Sequence, residues 1–365
     1  MNAEFIEALN ALEKEKGISK SLLLDAIEAA LVTAYRRNYN NAENVSVEIN
    51  TDTGEISVYS IKRVVDEVNY PAEEIKLEDA RKIAAYYQPG DLLKEEVLPR
   101  GFGRIAAQAA KQVVVQRIRE AERGMIYQEF SEKENEVLTA IVQREERNGV
   151  YVELGKTEGF MSSSEFIPGE KYEINDRIKV YVLEVRKTNK GGPQVIVSRT
   201  HPGLIKRLFE LEVPEIQPGI VQIKSIAREA GFRTKVAVHS TDPQVDPVGA
   251  CVGQRGSRVE RIVQELSNEK IDVIEWSNDP AVFIANALSP ARVLMVSANE
   301  EDKAARVIVP DNQLSLAIGK EGQNARLAAK LTGWKIDIKS NTQQTAEIMN
   351  MDNESGAKEQ PEVTE

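Results

Sequence analysis

The first 39 residues carry apolar side chains at helical spacing. Ile6, Leu9 and Leu12 fall on one face of a helix that Gly17 ends, and a second apolar run follows over residues 21–39. Two consecutive helices are therefore predicted at the start of the chain.

Alternating spacing replaces the helical spacing after this point. Residues 45–50 and 55–64 alternate apolar with polar side chains on either side of a turn at Asp52–Gly54, which predicts a β-hairpin. Residues 95–98 predict a further short strand. Together with the two helices, this pattern indicates an α+β domain over residues 1–125.

A long helix is predicted from Phe102 past Arg123, because apolar residues recur at helical spacing through this segment. Its apolar face contains Phe102, Ala106, Ala109 and Val113, flanked by Ile105 and Ala110. Its opposite face contains Arg104, Gln108, Lys111 and Arg119. On pattern alone this second face is an ordinary solvated surface, and the position of the helix indicates a connector to the next domain.

Residues 126–200 change to five short strands separated by turn residues. Five strands in about 65 residues fit a small closed barrel of the OB type. Such barrels bind single-stranded nucleic acid through exposed aromatic side chains and a basic rim. The candidates are Tyr151 and Phe160 for stacking, with Arg186, Lys187 and Lys190 near the rim. The same two rings also suit the interior of the barrel, and the pattern does not separate these roles.

Residues 201–340 contain an internal repeat. A Gly-x-x-Gly motif begins at Gly253 and again at Gly319, each time between a small apolar helix end and a second helix that leads into a strand beginning Lys-Ile-Asp. Two predicted strands and a weaker predicted helix precede each motif. The order helix, strand, strand, helix, Gly-x-x-Gly, helix, strand is that of the prokaryotic (type II) KH domain, predicted here twice, over 201–276 and 277–345.

The two loops have the chemistry needed to hold a nucleic-acid backbone. A KH domain clamps about four nucleotides of single-stranded backbone at Gly-x-x-Gly, where glycine permits a close approach and a sharp turn. Arg255 and Lys320 add positive charge inside the loops, and Arg258 and Arg326 follow on the outgoing helices. Glu321, inside the second loop, is expected to repel phosphate and weaken that site.

Charge alone argues against a general polyanion binder. The 365 residues include 47 Lys and Arg against 58 Asp and Glu, a net charge of −11, whereas affinity for nucleic acid comes from cations that neutralise phosphates. The charge is unevenly distributed, however. Residues 201–340 are balanced, and residues 346–365 form an acidic tail that is predicted to be disordered because it is poor in large apolar residues. A local basic groove is therefore compatible with the composition.

Several kinds of segment and site are not predicted. No apolar run is long enough for a membrane span, and the N-terminus lacks the pattern of a secretory signal. Cys251 is the single cysteine, and with two histidines it excludes a disulfide framework and a Cys/His zinc site. His201 and His239 have no neighbouring nucleophile, so structural roles are expected. The sequence predicts a cytoplasmic, non-enzymatic protein without a metal, a cofactor or a membrane partner.

Four stretches are similar to the NusA family of bacterial transcription elongation and termination factors. They are residues 101–123, 198–216, 236–259 and 311–338, and the resemblance extends over essentially residues 1–340. It implies a multidomain α+β protein with an N-terminal domain that docks on RNA polymerase core near the RNA exit channel. It also implies an S1-type barrel and two KH domains that form a continuous surface for nascent RNA.

The resemblance also implies roles for individual residues. The RNA-binding set consists of the loops Gly253–Gly256 (with Gln254 and Arg255) and Gly319–Gly322 (with Lys320), together with Arg258, Asn324 and Arg326. In the barrel, the resemblance places Tyr151 and Phe160 at surface positions. It makes the basic face of the long helix a candidate polymerase contact. The implied activity is control of pausing, hairpin-dependent termination and antitermination by a monomer that works with other Nus factors.

Two alternatives use the same modules. The first is a free single-stranded RNA-binding protein or chaperone that acts in translation or mRNA decay. An acidic α+β domain on a helical spacer favours a protein partner and argues against this alternative. The second is a ribonuclease or phosphorylase with accessory KH and S1-type modules. It would need a separate catalytic domain, for which residues 1–340 leave no room.

Overall fold

The computed structural model describes residues 3–39, 44–71, 73–97, 102–188 and 192–346. The chain divides into two compact units between Gln128 and Glu129. Lys190 of the predicted barrel rim, residue 98 of the predicted strand and the predicted tail beyond residue 346 lie outside the described residues.

Within the described residues, the first unit contains four helices and four strands, counting the long helix that ends just beyond it. In chain order they are α1 (Ala3–Lys16), α2 (Lys20–Asn38), β1 (Val45–Ile49), β2 (Ile56–Val65), β3 (Glu74–Lys76), α3 (Leu77–Ile83), β4 (Leu92–Glu96) and α4 (Phe102–Ser131). The two N-terminal helices, the hairpin and the long helix confirm the sequence predictions. The fourth strand begins three residues before the predicted one.

The core of the first unit lies between the long helix and the two N-terminal helices. Phe102, Ala106 and Ala110 are buried on α4 and belong to one apolar cluster with Leu23 and Ile27 of α2. These residues recur every three or four positions, so each helix turns a single stripe inward. The predicted apolar face of α4 is therefore its packed face.

The sheet of the first unit is built on β2. This strand pairs antiparallel with β1 and β4 and parallel with the three residues of β3. The predicted β1–β2 hairpin is confirmed, and its register places Val47 opposite Val58. Neither β3 nor α3 was predicted, because three and seven residues are too short to show a hydrophobic period.

The second unit begins with a five-stranded barrel. Its strands are β5 (Val137–Glu146), β6 (Gly149–Glu153), β7 (Glu158–Ser162), β8 (Arg177–Thr188) and β9 (Gly192–Ser198). They close in the order β5-β6-β7-β9-β8, with β5 paired to β8 and only β7 and β9 parallel. Val150, Val152 and Met161 point inward and are fully buried. The predicted closed barrel of five strands is confirmed.

Two copies of the same fold follow the barrel. The first contains α5 (Pro202–Glu212), β10 (Val221–Glu229), β11 (Arg233–Ser240), α6 (Pro247–Val252), α7 (Ser257–Glu265) and β12 (Lys270–Glu275). The second contains α8 (Pro280–Ala287), β13 (Met295–Asn299), β14 (Ala304–Val309), α9 (Leu314–Ile318), α10 (Gln323–Thr332) and β15 (Lys335–Ser340). In both sheets the middle strand pairs antiparallel with the strand before it and parallel with the last. The internal repeat predicted from the sequence is therefore also a repeat of the fold.

The first helix of each copy starts with the same device. His201 and Asp279 are the N-caps, and their side chains accept hydrogen bonds from the N–H groups of Gly203 and Ala281. A proline follows each cap at the start of the helix. The N–H group that proline lacks would have no partner within the helix at this position, so no hydrogen bond is lost. The structural role predicted for His201 is thus a helix cap.

The second copy packs against the sheet of the first. Ala227, Ala237 and Ile274 lie on the face of this sheet turned away from its own helices, and they share one apolar cluster with Ile284 and Leu327 of the second copy. Two repeats of sequence therefore share a hydrophobic core.

A buried lysine crosses this junction. Lys235 on β11 is fully buried, and its Nζ donates to the carbonyl oxygen of Ser289 at 2.8 Å and to Asp272 at 3.2 Å. Burial lowers the pKa of this lysine, and the neighbouring carboxylate opposes that shift. The bond to Ser289 ties the first sheet to the loop that follows α8.

Candidate nucleic-acid interface

The two Gly-x-x-Gly loops have the same backbone conformation. Gly253 and Gly319 have φ/ψ angles of 77°/174° and 76°/172°. The third residues, Arg255 and Glu321, are left-handed at 54°/28° and 52°/28°. The closing glycines are also left-handed. The repeat thus extends to the individual peptide units of the loops.

Space as well as conformation requires glycine at the first loop position. A Cβ atom on Gly253 would lie 2.7 Å from Cγ of Arg258, and one on Gly319 would lie 2.8 Å from the backbone nitrogen of Asn324. The loops open directly into α7 and α10, whose first N–H groups favour an anion. The middle positions expose Gln254 and Arg255 in the first loop and Lys320 and Glu321 in the second.

Arg258 and Asn324 occupy equivalent places, five residues after the first loop glycine. Nη1 of Arg258 donates to the carbonyl oxygen of Ala250 at 2.6 Å and to Glu215 at 2.9 Å. The Asn324 amide is buried and donates to the carbonyl oxygen of Ala317 at 3.0 Å. Both side chains satisfy carbonyl groups at the end of the helix before the loop. A direct RNA contact by the Asn324 side chain does not fit its burial, so its function is to hold the loop in shape.

Arg326 lies across the second loop. Its Nη1 donates to the carbonyl oxygen of Glu321 at 3.1 Å, and its Nε donates to the Glu229 carboxylate at 2.6 Å. Gln323 donates to the other oxygen of that carboxylate at 3.0 Å. The hydrogen bond from Arg326 keeps the pKa of Glu229 below its usual range. Because Glu229 ends β10, this group joins the second loop to the first KH fold.

The barrel carries its two candidate aromatic residues on the outer face. Tyr151 lies opposite Phe160 across β6 and β7, with ring centroids 5.0 Å apart. Both rings are partly exposed, whereas the residues that alternate with them are buried. The structure therefore places this pair on the surface of the barrel and not in its interior.

Basic side chains surround the aromatic pair unevenly. Cζ of Arg144 lies 3.8 Å from the centre of the Tyr151 ring, and its guanidinium donates to Glu158 at 2.6 Å. Arg186 and Lys187 are exposed at the end of β8, which β9 separates from β7. Arg144, which was not predicted, is thus the cation at the pair. Only the strand register places it there.

Two exposed apolar residues beside the second loop were also not predicted. Leu316 and Ile318 on α9 are 43% and 38% exposed, whereas Ala317 between them is buried. Cys251 takes the buried place of Ala317 in the first copy, and burial raises the pKa of its thiol to about 12. A five-residue helix buries one side only. Three consecutive apolar residues on such a helix therefore indicate that some of them are exposed, and this signal was present in the sequence. Leu316 and Ile318 give the second loop an exposed apolar surface.

Four stretches of the chain match known protein families. They are the NusA N-terminal domain at residues 4–124, the S1 RNA binding domain at 131–192, the NusA-like first KH domain at 199–276 and the NusA-like second KH domain at 280–346. The transcription termination/antitermination protein NusA of Bacillus subtilis is 60% identical over 342 residues, which cover 94% of this chain and 92% of that protein.

The chain belongs to the NusA family.

Other NusA proteins match this chain over a similar share of their length. Proteins of the same name from Halalkalibacterium halodurans and Mycobacterium tuberculosis are 59% and 46% identical to this chain. The first match covers 94% of this chain and 90% of that protein, and the second covers 91% and 92%. The order of NusA-type N-terminal domain, S1 barrel and two KH domains thus confirms the fold class predicted from the sequence.

In this NusA-family chain, α4 turns its predicted basic face to solvent. The exposed side chains are those of Arg104, Gln108, Lys111 and Arg119. Val115, at helical spacing between Lys111 and Arg119, is also 38% exposed. The face therefore combines positive charge with an apolar side chain, a composition that suits contact with a protein.

The part of the chain that the structure describes contains neither a membrane-spanning helix nor a cluster of metal ligands. No helix within these ranges is both long and apolar enough to cross a membrane. No group of three or more His, Cys, Asp or Glu side chains in the described part of the chain is arranged to hold a metal ion.

Proposed function

We propose that this chain binds nascent single-stranded RNA and, on RNA polymerase core and with other Nus factors, modulates pausing, termination and antitermination. It acts as a cytoplasmic monomer, without a cofactor and without catalysing a reaction. The main support for the proposal is the repeated loop geometry. The two Gly-x-x-Gly loops have the same backbone conformation, and each exposes a cation, Arg255 or Lys320. The names of the relatives support the transcription role.

The charge of the KH pair sets the expected affinity. Residues 201–340 carry equal numbers of basic and acidic side chains, so this segment has no net positive charge to attract phosphates. We expect a Kd for free RNA of roughly micromolar or weaker. Attachment to polymerase would then supply the effective concentration that the loops need.

The first prediction concerns the loop cations. Substitution of Arg255 and Lys320 together by alanine should weaken binding of a single-stranded RNA by about 100-fold, since each charge-assisted phosphate contact contributes roughly tenfold. The negative slope of log K against log salt should become less steep by about 1.4, because two phosphate contacts are lost. Fluorescence anisotropy of a labelled RNA over a salt series measures both quantities.

The repeat offers a matched control for this pair. Lys270 and Lys335 are exposed lysines that open the last strand of each copy, and their double alanine variant removes the same charge away from the loops. It should leave the affinity within about twofold of the parent. Equal losses in the two double variants would show that the loops are not the binding site.

The second prediction concerns the basic face of α4. Reversal of Arg104 and Lys111 to glutamate in the full chain should weaken its retention of RNA polymerase core by about tenfold or more, since like charges then meet across an interface. RNA affinity should stay unchanged. A pull-down with purified polymerase and an anisotropy titration give the two readouts.

A second charge reversal in the same unit separates the face from net charge. Lys76 and Lys82 are exposed outside α4, and their reversal to glutamate alters the charge of the unit equally. If this variant loses polymerase as strongly as the α4 variant, the contact is not on that face. If the parent chain retains RNA but no polymerase, the free RNA-binding protein becomes the correct reading.

A further inference from the structure

The two loops differ in charge at one equivalent position. Arg255 and Glu321 each occupy the third loop position, their backbone angles agree within 2°, and both side chains are exposed. The two Cα–Cβ bonds therefore leave their loop backbones in the same direction, and each exposed side chain can reach a nucleic-acid strand held at its loop. A guanidinium and a carboxylate in one place must meet different parts of that strand.

The Glu321 carboxylate forms no direct ion pair with Arg326, although the two charges interact electrostatically. Arg326 donates to the carbonyl oxygen of Glu321 and directs its Nε to Glu229. Within the described residues, no ion pair involves the Glu321 carboxylate. The first loop lacks this arrangement, because Glu260 takes the place of Arg326 there. The second loop thus presents a carboxylate that has acceptor capacity to spare.

A nucleic-acid backbone offers two kinds of group to such a side chain. Phosphates repel a carboxylate, so Glu321 disfavours any strand that places a phosphate beside it. The ribose 2′-hydroxyl lies between successive phosphates and can donate a hydrogen bond, and this group distinguishes RNA from DNA. A hydrogen bond to an ionised acceptor is among the stronger ones in proteins. Deoxyribose has no such donor and leaves the repulsion uncompensated.

We propose that Glu321 makes the second KH loop selective for ribose over deoxyribose, by accepting a hydrogen bond from a 2′-hydroxyl. This inference rests on the proposed RNA binding and adds a specificity-determining residue to it. The first loop, with Arg255 at the same position, holds phosphate without reading the sugar.

The test uses the full chain and three labelled 12-nucleotide strands of one sequence: RNA, DNA and 2′-O-methyl RNA. The Glu321→Arg variant copies the first loop, where arginine already occupies this conformation. We expect the ratio of RNA to DNA affinity to fall by about tenfold in this variant, largely because DNA binds better. The 2′-O-methyl strand should behave as DNA does, since it has lost the donor. Glu321→Gln, which keeps an acceptor oxygen, should retain more of the preference than Glu321→Arg.

Two outcomes would overturn the proposal in different ways. If RNA and DNA affinities rise by the same factor in Glu321→Arg, the carboxylate only repels phosphate and reads no sugar, while RNA binding itself stands. If the parent chain binds none of the three strands, the proposed function fails, and this inference fails with it. An unchanged unfolding midpoint of Glu321→Gln shows that the variant is folded.

Discussion

Substitution of Glu269 by alanine should lower the free energy of unfolding of the KH pair by about 3–5 kcal/mol. Glu269 and Arg228 are 0% and 1% exposed, and the carboxylate accepts from Arg228 Nη2 at 2.8 Å. It also accepts from the N–H of Gly231 at 2.8 Å and from the hydroxyl of Thr234 at 2.5 Å. Alanine would leave the buried Arg228 guanidinium and the buried Thr234 hydroxyl without this acceptor, and the guanidinium carries a full charge.

The full chain contains its own probe for this measurement. Its two tryptophans are Trp276 and Trp334, and both lie in the KH pair. Urea unfolding followed by tryptophan fluorescence therefore reports on the pair within the complete protein. Glu260→Ala, on the exposed surface of α7, is the control and should change stability by less than about 1 kcal/mol. A loss of that small size in Glu269→Ala would mean that the buried pair contributes nothing to folding.

A second large effect is expected at the junction of the barrel and the first KH fold. Arg199 is 1% exposed and directs its guanidinium to the Glu170 carboxylate and, at 2.6 Å, to the carbonyl oxygen of Lys179. It also donates to the carbonyl oxygen of Glu265 at 2.9 Å. Glu170 and Lys179 belong to the barrel side, and Glu265 ends α7. One side chain thus satisfies acceptors in two domains.

Substitution of Arg199 by methionine should loosen both sides of this junction. Methionine replaces the aliphatic part of the side chain but leaves the Glu170 carboxylate buried without its cation, at a cost of about 3–5 kcal/mol. Amide hydrogen exchange should therefore become about 100-fold faster or more in β8 and at the end of α7. Mass spectrometry of peptides from the full chain measures these rates.

Arg207 supplies the matched control for Arg199. It lies at the same junction, donates to the carbonyl oxygen of Asn135 and pairs with Glu136 and Glu210, but 32% of its side chain is exposed. Arg207→Met should cost no more than about 1 kcal/mol, because water replaces its partners. Equal exchange rates in the two variants would show that burial does not set the strength of this junction.

Local patterns predicted most of the fold. The helical stripes of α1, α2 and α4, the β1–β2 hairpin, the barrel strands and the repeated KH order all depend on spacing within about 20 residues, where the hydrophobic period is visible. The short elements β3 and α3 were not predicted, because they are too short to show such a period. The conformation of β3 depends on its pairing with β2, and that of α3 depends on packing against the sheet through Ala80.

Buried charges were not predictable from spacing. Arg199, Arg228, Lys235 and Glu269 look like surface residues in the sequence, and charged side chains are seldom fully buried unless they are paired. Their partners are distant: 41 residues separate Arg228 from Glu269, and 66 separate Arg199 from Glu265. Only the completed fold brings such pairs together.

The candidate site was predicted in part. Both loops and their cations were evident from the repeat, because glycine at fixed spacing identifies a backbone that needs positive φ. The roles of Arg258, Asn324 and Arg326 were not. Their side chains turn back to carbonyl groups and to Glu229. The spacing of a motif does not determine the direction in which a side chain points.

The core shared between the two KH folds limits how this protein can be divided. A fragment that ends at residue 276 would uncover Ala227, Ala237 and Ile274 and leave Lys235 without the carbonyl of Ser289. Such a fragment presents to water an apolar sheet face of the kind that causes association. The repeats are therefore two units in the sequence but one unit for expression, domain exchange or transplantation into another protein.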